Sequence, residues 1–380
     1  MVMRWLSGLL IAFVLTATAN ACPFCSAVSQ TFSEEMASMD AVVIAKLITL
    51  PEKQDPASNQ PLLKAAFEIQ EILKGESHVG SKKTLEVVFY GKAKPGDLFL
   101  IEGVDPPRLI WSTPLLLSAR SATFMRRLPT LPKEGPERLA FFWSHLEDKE
   151  DLLARDAYDE FARAPYDVVK ALKKQIDRNQ LVNWIDNPDI PASRRRLYFT
   201  LLGVCGSNKD NLLLERLLNS SDKKDKAGLD ALAACYLTLN GAAGLPLLEK
   251  LYLKNTESEY AETYSIIQAI RFHGTSEQII PRPRLVESLR HVLERPPVAD
   301  LVIPDLARWE DWSQIDRLTR LFKEADEKTS WVRVPIVNYL RACPLPAAKT
   351  SLVELEKIDP GAVRRAKTFF PFTNNNKANN

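Results

Sequence analysis

In the second half of the chain, apolar residues recur three and four positions apart, and the pattern restarts at a regular interval. Segments 201–218 (LLGVCGSNKDNLLLERLL), 238–253, 269–289, 306–322 and 339–356 each read as an apolar helix end, a short turn and a second leucine-rich helix. With Gly206, Gly241, Gly274, Glu310 and Cys343 as turn markers, the spacings are 35, 33, 36 and 33 residues. A helix pair of that length cannot bury its apolar stripe alone, so pairs stack and share one continuous core. The periodicity predicts an all-α solenoid from residue 137 to 368, with prolines such as Pro191, Pro283 and Pro346 at or near helix starts.

The first half has a different period. AVVIAKL (41–47), AAFEIQEIL (65–73), TLEVVFY (84–90) and DLFLIEGV (97–104) are rich in β-branched and aromatic residues, and two shorter runs, LIW and PLLLS, follow. Lys74-Gly75, Gly91, Pro95-Gly96-Asp97 and Pro106-Pro107 supply turns between them, and 51–61 reads as a polar hairpin loop. Strands at this spacing predict a small barrel or sandwich, because an open sheet would leave edges exposed. Before them, Cys22-Pro23-Phe24-Cys25 opens a predicted short helix with Cys22 as its cap and Pro23 at the first helical position. Residues 131–136 form a Pro-rich boundary, read as separating two cores. The fold class is α+β multidomain: a β-rich module over 22–130, a linker over 131–136, a solenoid over 137–368 and a polar, disordered tail over 369–380.

Residues 1–21 add a compartment. Arg4, the apolar run Trp5–Leu15 and Ala19-Asn20-Ala21 make a cleavable export signal, too short to cross a bilayer, which takes about 20 residues. No later segment reads as long and apolar enough to do so. The mature chain is expected to begin at Cys22 and to be periplasmic or extracellular. A lipid-anchored form is the lesser alternative, since Ala19 stands where lipid-attachment signals favour a branched apolar residue. The chain's 50 Lys+Arg balance 48 Asp+Glu, which leaves no field to attract nucleic acid. Arg194-Arg195-Arg196, the one basic run, reads as a solvated helix face. Of five cysteines, Cys22 and Cys25 are close enough to pair, while Cys205, Cys235 and Cys343 read as small buried apolar residues.

Two resemblances extend this reading. The cysteine-rich mature N-terminus, DAVVIAKL, FEIQEILKG and GDLFLIEG resemble the netrin-like domains of metalloproteinase inhibitors, which implies an OB-type barrel over roughly 22–117. In that family the amine and carbonyl of the first cysteine chelate a protease zinc. This chain departs from it in having Cys-x-x-Cys and no further cysteine in the module to pair back. The helical half resembles HEAT-type repeats, and the combination resembles exported bacterial proteins that join such a module to helical repeats, a likeness that implies no activity.

Candidate chemistry is sparse. Cys22 and Cys25 are the pointed pair: a structural disulfide is the preferred reading, and a thiolate favoured by a helix N-terminus is the reactive alternative. His78, His145, His273 and His291 have no second ligand at zinc spacing and read as surface or capping residues. Paired acids such as Glu34-Glu35 and Glu310-Asp311 read as helix-terminal charges. No nucleophile elbow, metalloprotease or phosphate-loop motif occurs, so no catalytic residue, metal or cofactor is assigned. Arg308, Trp309, Trp312 and Trp331 are the partner-binding candidates, against the alternative that the tryptophans fill a gap between repeats. The expectation is an exported, non-catalytic binding or scaffold protein with a protein partner, no nucleic acid and no integral membrane span. The alternatives are a thiol-active envelope redox factor using Cys22 and Cys25, and a metalloenzyme inhibitor acting through the N-terminal module.

Overall fold

A computed structural model describes residues 22–25, 29–50 and 64–369. The export signal, the 51–61 loop and the polar tail lie outside them, apart from Phe369 at a helix end. Six strands form one antiparallel sheet: β1 (Ala41–Thr49), β2 (Lys64–Lys74), β3 (Thr84–Val88), β4 (Leu98–Val104), β5 (Ile110–Trp111) and β6 (Leu115–Leu117). Their order is β3-β2-β1-β4-β5, with β6 also pairing β4. The sheet curls into a nearly closed barrel rather than a two-sheet sandwich. β1 is central and buried on both faces, which explains why AVVIAKL reads as an unbroken apolar run instead of an alternation. Ala41, Val43, Ala45 and Leu47 point into the barrel with Phe67, Phe89 and Phe99, whose rings meet edge to face. Val42 and Ile44 point the other way, into the core of the helices.

That alternation corrects one expectation. Residues 131–136 separate strands from most of the helices, and the barrel interior lies wholly before them, but a second core crosses the boundary. One apolar cluster runs from Cys22, Val42, Ile44 and Leu100 through Leu139 to Ala366.

The chain meets the helices through α1 (Phe32–Ser38) and, after a helical turn α2 (Glu76–Val79), through α3 (Ala119–Arg127). The helix expected from Cys22 starts ten residues later, at Phe32, because Thr31 and Glu34 make a reciprocal cap there. Residues 22–25 form a turn instead, with the Cys25 N–H donating to the Cys22 carbonyl at 3.2 Å. α3 was not anticipated, although Ser118 and Ser121 cap it reciprocally.

Next come α4 (Pro136–Trp143), α5 (Asp151–Arg163), α6 (Tyr166–Ala171) and α7 (Arg178–Asp186). The repeats then run as pairs: α8 (Ala192–Cys205) with α9 (Asn211–Asn219), α10 (Leu229–Asn240) with α11 (Leu245–Leu248), and α12 (Tyr260–Phe272) with α13 (Arg282–Arg290). α14 (Ile303–Arg308) with α15 (Ile315–Glu324), α16 (Arg333–Ala342) with α17 (Pro346–Ile358), and a last helix α18 (Pro360–Phe369) complete the stack. First members pack on first members, α8 on α10 on α12 and α14 on α16 on α18. All five turn markers fall at the ends of first-layer helices: Gly206, Gly241 and Cys343 cap α8, α10 and α16, and Gly274 and Glu310 follow α12 and α14. At Gly274 the reason is steric, since a Cβ would stand 2.3 Å from the Trp309 ring.

Two further readings change. Leu229–Leu253 is long and apolar enough to cross a membrane by length and composition. Its apolarity has a local cause, because α10 lies between α8 and α12 and buries Ala231 through Leu237. The arginine run is no solvated face either. Arg194 pairs with Glu147 at 3.0 Å and Arg196 with Asp230 at 2.8 Å. Arg195 is 1% exposed and donates to the Lys224 and Asp225 carbonyls of the next loop. Arg295 does the same for Tyr252 and Ser258, and Arg333 for Phe322 and Ala325. Guanidinium groups, buried at Arg195 and Arg295 and half-buried at Arg333, thus satisfy loop and helix-end carbonyls along the stack.

Candidate functional site

The site is built by the turn Cys22–Cys25 lying against the first layer of repeats. α8 and α10 present small residues on adjoining faces (Thr200 and Gly203 from α8, Ala231, Ala234 and Thr238 from α10), and Phe24 and Phe272 of α12 line the same space. The Phe24 ring meets Phe272 edge to face at 5.2 Å, and Phe272 meets Tyr166 of α6 at 5.5 Å. Only about 10 Å³ stays unfilled beneath the ring. Beside it opens a cleft of about 560 Å³ lined by Cys22–Cys25, Arg196, Asp230, Gln268, Arg271, Thr275 and Ser276.

Cys22 and Cys25 lie at disulfide distance, their Cα atoms 5.3 Å apart, as their spacing predicts. Cys22 is 5% exposed; Cys25 is half-buried at the cleft. The turn is not the start of a helix, so the backbone amides invoked for a reactive thiolate do not converge on it. The two guanidinium groups lining the cleft are also engaged, Arg196 with Asp230 and Arg271 with Asp305 at 2.7 Å. Cys205, Cys235 and Cys343 are free, and the last two are buried. Burial, then Asp210, pushes the Cys205 thiol up to about 11, and burial raises the Cys235 thiol well above its ordinary value.

The segment that follows the turn is held by α5. Arg163 donates to the Ser29 carbonyl at 3.0 Å, and Asp156 accepts the Phe32 N–H at 2.7 Å. Asp156 is 4% exposed and its other oxygen has no hydrogen-bond partner. Burial pushes its carboxyl up to about 7, opposed by the Phe32 N–H and reinforced by Glu160 and Asp159. On the sheet side of α1, Glu102 of β4 is also buried, and burial together with Glu35 raises it to about 7. Glu35 is therefore more than the helix-terminal charge that Glu34-Glu35 suggests, and α1 is seated between two buried acids, Asp156 and Glu102, whose carboxyls are both raised.

The aromatic candidates do not converge. Trp309 is half-buried over Gly274, with the Arg282 guanidinium 6.0 Å from its ring. Trp312 is half-buried, edge to face with Tyr339 at 5.2 Å. Arg308 is exposed and paired with Asp305 at 2.9 Å, and Trp331 is 49% exposed. Asp311 is no exposed terminal charge: it is buried and takes two bonds from Arg290, at 2.7 and 2.8 Å. His78 is exposed as expected, but His273 is fully buried, its Nε2 within 3.0 Å of the Ala234 carbonyl. Burial lowers it to about 4, so at neutral pH it is uncharged and Nε2 carries the donated proton. Among the described residues no cluster of His, Cys, Asp or Glu could hold a metal ion.

Sequence reasoning missed the docking of residues 22–25 on α12, because no local pattern links Phe24 to a residue some 250 positions away. The signal that could have found it is the run of small residues on α8 and α10, which demands a filler from elsewhere. The chain matches no protein-family model, no curated protein and no solved structure.

Proposed function

We propose that this is an exported, non-catalytic binding protein that holds a protein segment against the first layer of its HEAT-like helix stack. One observation carries the reading: that face already receives a short apolar segment, the chain's own Cys22–Cys25 turn, with the Phe24 ring against Phe272 and an open polar cleft beside it. A stack of helix pairs offers such a face along its length, and partners are recognised by shape and a few buried rings rather than by chemistry. The 1–21 segment supplies the export part of the proposal, and burial of Cys22 favours a mature terminus without a lipid on that sulfur. A chelating Cys22 would have to present its amine and carbonyl outward. Here the residue is buried and its carbonyl accepts the Cys25 N–H.

The test is site-directed photo-crosslinking in the exported fraction. A crosslinker at Ser276, exposed at the cleft, should give a discrete adduct; one at Leu212, 82% exposed on α9, should not. Adducts from both positions alike, or from Leu212 alone, would overturn the proposal.

A second reading rests on Cys25 standing half-buried at that cleft: thiol–disulfide exchange with a bound substrate. Rapid alkylation of Cys25 at acidic pH, together with turnover of a disulfide substrate, would favour it over simple binding.

A further inference from the structure

We infer that the pocket over α8, α10 and α12 is an acceptor for an aromatic side chain, filled in the resting protein by Phe24, and that the Cys22–Cys25 disulfide keeps it filled. The partner it would take is an extended protein segment presenting a Phe, Tyr or Trp ring.

Small side chains on two packed helices normally let the helices close up, because voids forfeit dispersion contacts. Here Gly203, Ala231, Ala234 and Thr238 line a recess that Phe24, from the N-terminal turn, closes to about 10 Å³. One wall, Phe272, meets the Phe24 ring edge to face and is itself backed by Tyr166, the arrangement that rings favour.

Among the described residues, the flanking chain is next held at Ser29 and Phe32, by Arg163 and Asp156 of α5. The turn that presents Phe24 is closed by one hydrogen bond and by the disulfide. A cross-link over so short a loop favours the closed turn by about twentyfold on loop-entropy grounds. Cys25 is half-buried at the open cleft, where a small dithiol can reach it. One thiolate of that dithiol attacks the Cys25 sulfur and expels the Cys22 thiolate. Its second thiolate then closes the reagent's own disulfide and expels the Cys25 thiolate. Two electrons and two protons pass to the cysteines and the dithiol leaves oxidised. The opened turn no longer holds Phe24, and the recess becomes available to a partner's ring.

Only the partner clause rests on the binding function proposed above; the latch stands without it. The experiment uses the full chain and 1-anilinonaphthalene-8-sulfonate, a dye that brightens in apolar recesses. Oxidised protein should bind little dye. Dithiothreitol-reduced protein, and the Cys22→Ser, Cys25→Ser double variant without reductant, should bind several-fold more, as the docked-to-undocked ratio falls about twentyfold. Phe24→Ala should bind dye in both redox states. Oxidised acetyl-Cys-Pro-Phe-Cys-amide should displace that dye from Phe24→Ala, while the same peptide with Ala for Phe should not. Dye binding unchanged by reduction but raised by Phe24→Ala would overturn the latch. No rise in any variant, or displacement by both peptides, would overturn the aromatic acceptor. A Ser276 crosslinker that captures no partner leaves these results untouched, so the two failures are distinguishable.

Discussion

Asp156→Asn should remove a large part of the protein's pH dependence. Asp156 is 4% exposed, accepts the Phe32 N–H at 2.7 Å and has its second oxygen unpartnered. Its carboxyl is raised from 3.8 to about 7. The folded state therefore keeps a proton that the unfolded chain gives up first. Its contribution to stability is fully present below about pH 4, is lost as pH rises towards 7, and is absent above that. A shift of about three units corresponds to at most about 4 kcal/mol, at 1.36 kcal/mol per unit. Asparagine keeps the acceptor for Phe32 and cannot ionise. Its amide nitrogen occupies the unpartnered position at a cost of about 1–3 kcal/mol that does not vary with pH. Urea denaturation of both proteins from about pH 4 to about pH 8 isolates the residue, because Glu102, Asp159 and the other titrating groups are common to both. The difference should move in favour of the variant by several kcal/mol as pH rises. Parallel curves would show that Asp156 is charged and solvated in the folded protein, and the account of how α1 is seated would fail.

Other perturbations probe the stack. Gly274→Ala forces a Cβ to within 2.3 Å of the Trp309 ring; thermal melts should show a loss of about 1–3 kcal/mol from overpacking, and an unchanged melt would mean Trp309 does not cross that turn. His273 is lowered from 6.5 to about 4, so it withdraws stability as pH falls through that window; His273→Gln should lessen the acid loss seen by denaturation, and an unaltered acid limb would contradict its burial. Removing residues after Ser330 deletes α16 to α18 and bares the side of α14 and α15 they cover; circular dichroism should retain the earlier helices, with lower solubility, and complete loss of helical signal would show one indivisible globule.

What the sequence made legible follows from the range of each interaction. The repeat was readable because every turn marker sits at the end of a first-layer helix, where local sterics and capping act. β1 was readable as a strand, and its unbroken run of apolar residues carried a second message: two buried faces, and hence a core shared with the helices. α3 carries a reciprocal Ser118–Ser121 cap, but it follows directly on strands whose period-two pattern masks so short a helix. Arg195 and Asp156 look like solvated charges in the sequence. Only the fold shows that loop carbonyls and a helix N–H take the place of water around them. The Phe24 site was illegible for the same reason on a longer scale, since it joins the N-terminal turn to helices in the middle of the chain through packing alone.

The central claim is that the first layer of the stack binds an aromatic segment and that Phe24 occupies the site. A double-mutant cycle on the oxidised protein, with Phe24→Ala, Phe272→Ala and the pair, measures it by equilibrium denaturation. Rings meeting edge to face at 5.2 Å should show a coupling of about 0.5–1.5 kcal/mol. Strictly additive effects would mean that the two rings do not touch, and the site proposed on this face would go with them.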